Sequence, residues 1–232
     1  MPQAPQVALG PRKLPVQSRS AASVNAILEA TTQVLLTVGK GKLTTSKVAI
    51  RAGVSVGTLY QYFPNKSALL QTVLRLHFAQ ILDTVELVCK QQHGAPLRTM
   101  ATELITAFFA AKMRDGKTSV ALYSVSSDVD GANIARQVAE RINQAIAAML
   151  ASAPEKLTTA PALVATILQS SMAGVSRRIL ESPAPQKLLP PARRELIAMA
   201  CAYLEASSLP ARSSHPPQSP FPPRANVAAE AD

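Results

Sequence analysis

A chain of 232 residues is long enough for one large domain or two small ones with a substantial core. Its 47% hydrophobic content is aliphatic, with four tyrosines, five phenylalanines and no tryptophan, and alternating runs of Val, Thr and Tyr are missing. That pattern excludes a sheet-based fold and predicts an all-α protein. The net charge of +10 is concentrated at the front, where Arg12, Lys13, Arg19, Lys40, Lys42, Lys47, Arg51 and Lys66 stand against Glu29 alone within residues 1–70, a placement that suits a polyanionic partner.

Residues 1–18 hold four prolines and show no helical or strand period, so a disordered basic arm is expected. Its Arg12 and Lys13, with Arg19 just beyond, are placed to follow a DNA backbone or minor groove. A first helix is predicted over residues 20–38, with Val24, Ile27, Leu28, Thr31, Val34, Leu35 and Val38 as its buried stripe.

Residues 44–63 read as a helix-turn-helix. Thr44 or Thr45 supplies an N-cap hydroxyl, and Val48, Ala49 and Ala52 make one buried face on a short helix. Gly53 stands where that helix must close with a left-handed residue, and Ser55 caps the next one. Such a glycine bend between two short helices is the signature of the motif. In the second helix Leu59 and Phe63, at i and i+4, belong inside, whereas Val56, Gly57, Tyr60 and Gln61 point outward. Gln61 matches adenine edges and Val56 a thymine methyl, while Thr58, Tyr62 and Lys66 suit phosphate oxygens. Gly57 is a poor helix former, which points to close approach by another body.

Pro64 and Asn65 break the chain before a long helix that starts near residue 66 and ends at His93-Gly94-Ala95-Pro96. Leu69, Leu70, Val73, Leu74, Leu76, Phe78, Ile81, Leu82, Val85 and Val88 make it apolar around much of its circumference, as expected of a helix joining two bodies. Further helices are predicted over residues 97–114, 117–129, 131–153, 161–182 and 190–207, with glycines and prolines at the joints. The last two carry the stripes Leu163, Val164, Ile167, Leu168, Met172, Val175 and Leu196, Ile197, Met199, Ala200, Leu204. From residue 208 onward six prolines predict a disordered tail.

The region 19–70 resembles the DNA-binding domain of the TetR family of bacterial transcriptional regulators. The resemblance rests on Ala26-Ile-Leu-Glu-Ala-Thr, Gly39, Thr44-Thr45, Val48-Ala49, the block Ala52-Gly-Val-Ser-Val-Gly-Thr-Leu-Tyr-Gln-Tyr-Phe, and Asn65-Lys66-Ser67-Ala-Leu-Leu. Two departures stand out: Lys40-Gly41-Lys42 replaces an aromatic often found after Gly39, and position 62 is Tyr where His is common. The resemblance implies base-reading roles for Val56, Gly57, Tyr60 and Gln61, and phosphate contacts from Thr45, Thr58, Tyr62 and Lys66, to which the cap at Thr44 and the arm-side Arg19 are added. Between the arm (1–18) and the tail (208–232) read from composition, it implies a DNA-binding domain (19–68) and a helical effector-binding and dimerisation domain (69–207). It further implies a homodimer through 161–182 and 190–207, a palindromic double-stranded operator and an unidentified small-molecule effector. Phe108, Phe109, Met113, Tyr123, Met149, Met172 and Arg177 are the candidates to line the effector pocket.

Competing chemistries fail on the residues. Gly53-Val54-Ser55-Val56-Gly57 matches a hydrolase nucleophile elbow in letters, but a helix rather than a strand precedes the serine, and His77, His93 and His215 are the only histidines. Gly39-Lys-Gly-Lys-Leu lacks the early Gly and following Ser or Thr of a phosphate loop. The histidines with Cys89 and Cys201 show no metal-ligand spacing, so no cofactor is expected and the cysteines read as buried thiols of a reducing cytoplasm. No enzyme, signal sequence or membrane span is expected. The resemblance thus implies a ligand-released homodimeric repressor; the alternative is a DNA-binding regulator without an effector, whose second domain only dimerises or recruits a protein.

Overall fold

The computed structural model describes residues 18–126 and 129–209; the expectations placed on the arm before Ser18, on the Arg19 side chain and on the tail from residue 210 lie outside the described residues. The first helix, α1 (Ser18–Lys42), runs four residues past its predicted end because Gly39, at φ 73° and ψ 170°, breaks it internally and a last turn resumes beyond. Ile27, Leu28, Thr31, Val34 and Leu35 are buried, and the Thr31 hydroxyl is spent on the Ile27 carbonyl at 2.7 Å. By length and apolarity alone Ser20–Lys42 could cross a membrane, but this stripe packs against α2 (Thr45–Ala52) and α4 (Lys66–Gln91) as a core helix does.

Between these lies α3 (Val56–Tyr62), closing a three-helix head around Ile27, Leu43, Val48, Ala49, Leu59 and Phe63, all 2% exposed or less. The joining helix α4 begins where Asn65 Oδ1 accepts the Ala68 amide at 2.8 Å. Its 26 residues reach about 39 Å, far enough to belong to both bodies. Its first turns, Ala68, Leu69 and Leu70, are buried, and its later residues Ile81, Leu82 and Val85 enter the core of the second body.

That body comprises α5 (Leu97–Met113), α6 (Gly116–Val125), α7 (Gly131–Ala151), α8 (Pro161–Leu180) and α9 (Pro185–Ala206). α7 packs between α4 and α8, and α9 packs on α5 and α8. At the entrance of α7, a Cβ on Gly131 would sit 2.5 Å from the Ser126 carbonyl oxygen, so only glycine lets the two segments meet.

Two sequence expectations need correction. α9 starts five residues earlier than residue 190, because Pro185 occupies the first turn, where a missing N–H costs nothing. Pro190 and Pro191 are then inside the helix, and the carbonyls they leave unpaired, at Gln186 and Lys187, belong to exposed residues that water can satisfy. The tail expected from residue 208 instead opens with a strand, β2 (Ser208–Leu209), antiparallel to β1 (Lys156–Leu157) in the register Lys156↔Leu209 and Leu157↔Ser208.

Candidate nucleic-acid interface

The head is rigid because each helix end is closed. Thr44 is the N-cap of α2: its hydroxyl accepts the Lys47 amide at 3.3 Å. Gly53 is left-handed at φ 68°; its N–H bonds the Ile50 carbonyl at 3.2 Å and that of Val54 the Ala49 carbonyl at 3.0 Å. Ser55 Oγ then accepts the Thr58 amide at 2.9 Å and meets the Thr58 hydroxyl at 2.8 Å. Every turn of the motif is therefore held by its own hydrogen bonds, over a floor of Leu59 and Phe63.

The outward face of α3 presents Val56, Gly57, Tyr60 and Gln61, all exposed. A Cβ on Gly57 would meet nothing nearer than Ser55 Oγ at 3.7 Å, so the head itself has no steric need for glycine there. The Tyr60 hydroxyl lies 3.0 Å from Thr45 Oγ1, which ties a predicted base reader on α3 to a predicted phosphate residue on α2. Thr58 and Tyr62 are half-buried, Tyr62 packing on the core. Lys66 is half-buried too, and its Nζ donates to the Leu43 carbonyl at 3.2 Å; this lysine braces the start of α4 against the entry to α2. Two cations to which the sequence assigned no contact stand exposed on α2: Lys47, with Nζ on the Lys42 carbonyl at 2.9 Å, and Arg51, with Nε on Gln33 Oε1 at 2.6 Å. Their membership of one helix face, at i and i+4, was the available signal. Glu29 is the only acidic residue before Asp83, so the head presents a nearly unopposed positive surface.

The seven pocket candidates do not gather around one cavity. Phe108 and Phe109 are buried edge to face at 5.7 Å, and Met149 and Met172 are buried as well. Met113 lines a cleft of about 840 Å³ with Leu36, Val120 and Leu189, whereas Met149 borders a different one beside Cys89 and Arg141. Arg177 is exposed and pairs with Glu181 at 2.8 Å. Tyr123 has another partner: Lys112, 5% exposed, directs its ammonium at the Tyr123 hydroxyl, over that ring at 4.7 Å. Burial lowers the Lys112 pKa to about 8. Next to it His77 Nε2 meets Ser119 Oγ at 3.1 Å, and burial followed by the Lys112 charge lowers the His77 pKa to about 4. This polar cluster was not anticipated, although a lysine four residues after Phe108 on an apolar helix face was a visible cue. Burial and then Glu86 push the Cys89 thiol up to about 12, which leaves it unreactive, and Cys201 is buried and unbridged. Among the described residues no three His, Cys, Asp or Glu side chains come together to hold a metal.

Comparison with known proteins agrees with this geometry. Residues 27–73 match the family model described as bacterial regulatory proteins, tetR family, and residues 96–204 match the tetracyclin repressor-like C-terminal domain, together about two thirds of the chain. No curated protein matches. Among solved structures, SmeT, the repressor of the Stenotrophomonas maltophilia multidrug efflux pump SmeDEF, is 17% identical over 88% of this chain and 99% of that one, with a TM-score of 0.64. A transcriptional regulator from Rhodococcus sp. Rha1 is 21% identical over 78% and 97%, at 0.62. A TetR family transcription regulator from Marinobacter aquaeolei VT8 is 18% identical over 82% and 97%, at 0.58. At such identities the likeness is one of fold.

Proposed function

This chain belongs to the TetR family and is a DNA-binding transcriptional regulator rather than an enzyme, and from that premise we propose that it acts as a cytoplasmic homodimeric repressor, released from a palindromic operator by a small molecule. One observation carries the reading: α3 buries Leu59 under the head and turns Val56, Gly57, Tyr60 and Gln61 outward on a unit whose positive charge is opposed by Glu29 alone. In this reading residues 19–68 form the DNA-reading unit, with Val56, Tyr60 and Gln61 at base edges, Gly57 permitting close approach, and Thr44, Thr45, Thr58, Tyr62, Lys66 and Arg19 on phosphates. Residues 69–207 dimerise and bind the effector.

Dimerisation is supported by apolar side chains that the single chain leaves uncovered. On α8, Leu163 and Ile167 are 54% and 44% exposed, and exposed Ser170, Ala173 and Gly174 continue toward the end of the helix, where small residues admit a close neighbour. Met199 is 51% exposed on α9. An isologous four-helix contact would cover both stripes and present two α3 helices to successive major grooves.

The test is selection of binding sequences from a random duplex pool, followed by anisotropy of the enriched site at two salt concentrations. A palindrome with half-sites one or more helical turns apart, bound by two chains, is the expected result. Failure to enrich any sequence would reject a specific operator and leave charge-driven contact alone.

A further inference from the structure

A cleft of about 840 Å³ runs between the head and the body. Leu35 and Leu36 of α1 form one wall; Val120 of α6, Leu180 of α8 and Leu189 of α9 form the other. The volume lies within the range of about 300–1,000 Å³ typical of small-molecule sites. Leu36 and Val120 are 43% and 44% exposed, so apolar surface on both walls is open to water, and covering it favours an apolar occupant. The floor is closely packed: a Cβ on Gly116 would lie 3.1 Å from Leu180 Cδ2, so the start of α6 is seated on the end of α8.

The joint of α5 with α6 brings charge to this trough, with positive charge in excess. Arg114 closes α5, Asp115 caps α6 and Lys117 lies in the first turn of α6; all three are exposed and all line the cleft. Asp115 is the only acid among the lining residues, and it is committed, since its Oδ1 accepts the Thr118 amide at 3.0 Å. Arg114 and Lys117 form no hydrogen bond or ion pair among the described residues. Two unengaged cations thus stand against one capping carboxylate at the edge of an apolar surface. Because both stand in water, an anion that meets them keeps part of its hydration and avoids the cost of burying a charge.

We propose that this cleft binds an amphipathic carboxylate, with its alkyl chain along the apolar walls and its head group at Arg114 and Lys117. The same walls disfavour the alternatives. A fully polar anion would leave Leu36 and Val120 uncovered, and an alkylammonium would bring a like charge to the two cations. A chain of about eight carbons fits the volume and leaves space for water around the head group. Because Leu35 and Leu36 belong to α1 of the head and the remaining walls to the body, an occupant bears directly on the angle between the two. That last consequence rests on the effector-released reading above; the binding site does not.

Calorimetry on the full chain tests the site with sodium octanoate, below its micellar range, as the probe. Octylammonium, 1-octanol and acetate are the comparison compounds; the variants are the double change Arg114→Ala with Lys117→Ala, and Val120→Asn. All three replaced side chains are exposed, so both variants should melt close to the wild-type temperature. Saturable octanoate binding that weakens about tenfold in the double variant, through the loss of two exposed charge contacts, is the expected result. 1-Octanol should bind the wild type and the double variant alike, and Val120→Asn should weaken both probes. Acetate and octylammonium should not bind. No saturable octanoate binding, equal octanoate affinity in the wild type and the double variant, or octylammonium binding as tightly as octanoate would overturn the site. Operator anisotropy separates the two ideas. Octanoate binding that depends on Arg114 and Lys117 but leaves operator affinity unchanged keeps the site and rejects an effector role for it. Release of the operator by octanoate undiminished in the double variant rejects the site and leaves the repressor reading standing.

Discussion

Replacing Gly57 with alanine separates what the head requires from what DNA requires. Gly57 is exposed in α3, does not use left-handed backbone, and has only Ser55 Oγ, at 3.7 Å, near a new Cβ. The free chain therefore gains helix propensity without a clash, a stabilisation of about 0.5–1 kcal/mol. For a chain of this size that raises Tm by roughly 1–4 °C. In the complex the same methyl enters the space between helix and base edges, and overfilling a tight contact costs about 1–3 kcal/mol, or roughly 5- to 150-fold in affinity. Thermal unfolding followed by circular dichroism and anisotropy on the selected operator give the two numbers. Opposite signs are expected. Wild-type operator affinity in Gly57→Ala would mean that this face of α3 does not approach DNA, and a lower Tm would mean that the position is crowded within the chain itself.

Tyr60→Phe removes only the hydroxyl that meets Thr45 at 3.0 Å, so it should lower operator affinity by about tenfold while Tyr60→Ala abolishes specific binding; both should remain folded, and normal affinity in the alanine variant would remove Tyr60 from the reading face. Lys66→Ala should lower the salt slope of binding by about one unit; because Nζ also braces the Leu43 carbonyl, it should cost about 1 kcal/mol in urea unfolding, and a stability loss with an unchanged slope would make Lys66 a brace only. His77 gives a pH signature. Folding lowers its pKa from 6.5 to about 4, so within that window the unfolded chain holds the extra proton and acidification favours unfolding. Stability should fall between pH 6.5 and 4 by about 2 kcal/mol more in the wild type than in His77→Gln, and parallel acid limbs would refute the buried neutral ring.

The local geometry of the head was legible because each of its features depends on a few adjacent residues. Thr44, Gly53 and Ser55 act as cap, left-handed close and cap, and Leu59 and Phe63 are buried, as their spacing required. What the sequence concealed were pairings across distance. Thr45 with Tyr60, Lys66 with Leu43, and Lys112 with Tyr123 each join residues whose separation carries no periodic signal. The effector candidates show the limit clearly. Large apolar residues on α5, α7 and α8 are equally good core formers, and Phe109, Met149 and Met172, each 1% exposed, are used as core. Thr118, in contrast, looks unremarkable in the sequence, and only the fold shows that its buried Oγ1 has no partner among the described residues. The last helix shows a different limit: its expected start at residue 190 falls inside α9, where Pro190 and Pro191 occupy exposed positions and water can meet the carbonyls left unpaired.

In the effector-released reading, these placements constrain where release can originate. The start of α4 is locked into the head: Ala68, Leu69 and Leu70 are at most 2% exposed, and Asn65 and Lys66 fasten the first turn to the helix-turn-helix. Bending α4 within its first turns would open that core, so head and early α4 must move together. The contact between α1 and α6 is different in kind. It includes an exposed bond from Lys40 Nζ to the Ser124 carbonyl at 3.2 Å and is flanked by two open clefts, lined on one side by Leu28 and Thr32 and on the other by Leu35 and Leu36. A ligand can displace the head only by as much as it prefers one arrangement over the other, and hundredfold release of an operator requires a preference of about 2.7 kcal/mol. One or two buried hydrogen bonds and a modest apolar area at the α1–α6 face supply energy of that order, whereas rupture of the α4 root would require far more. In the effector-released reading proposed above, release would begin where α1 meets α6, with α4 carrying the motion.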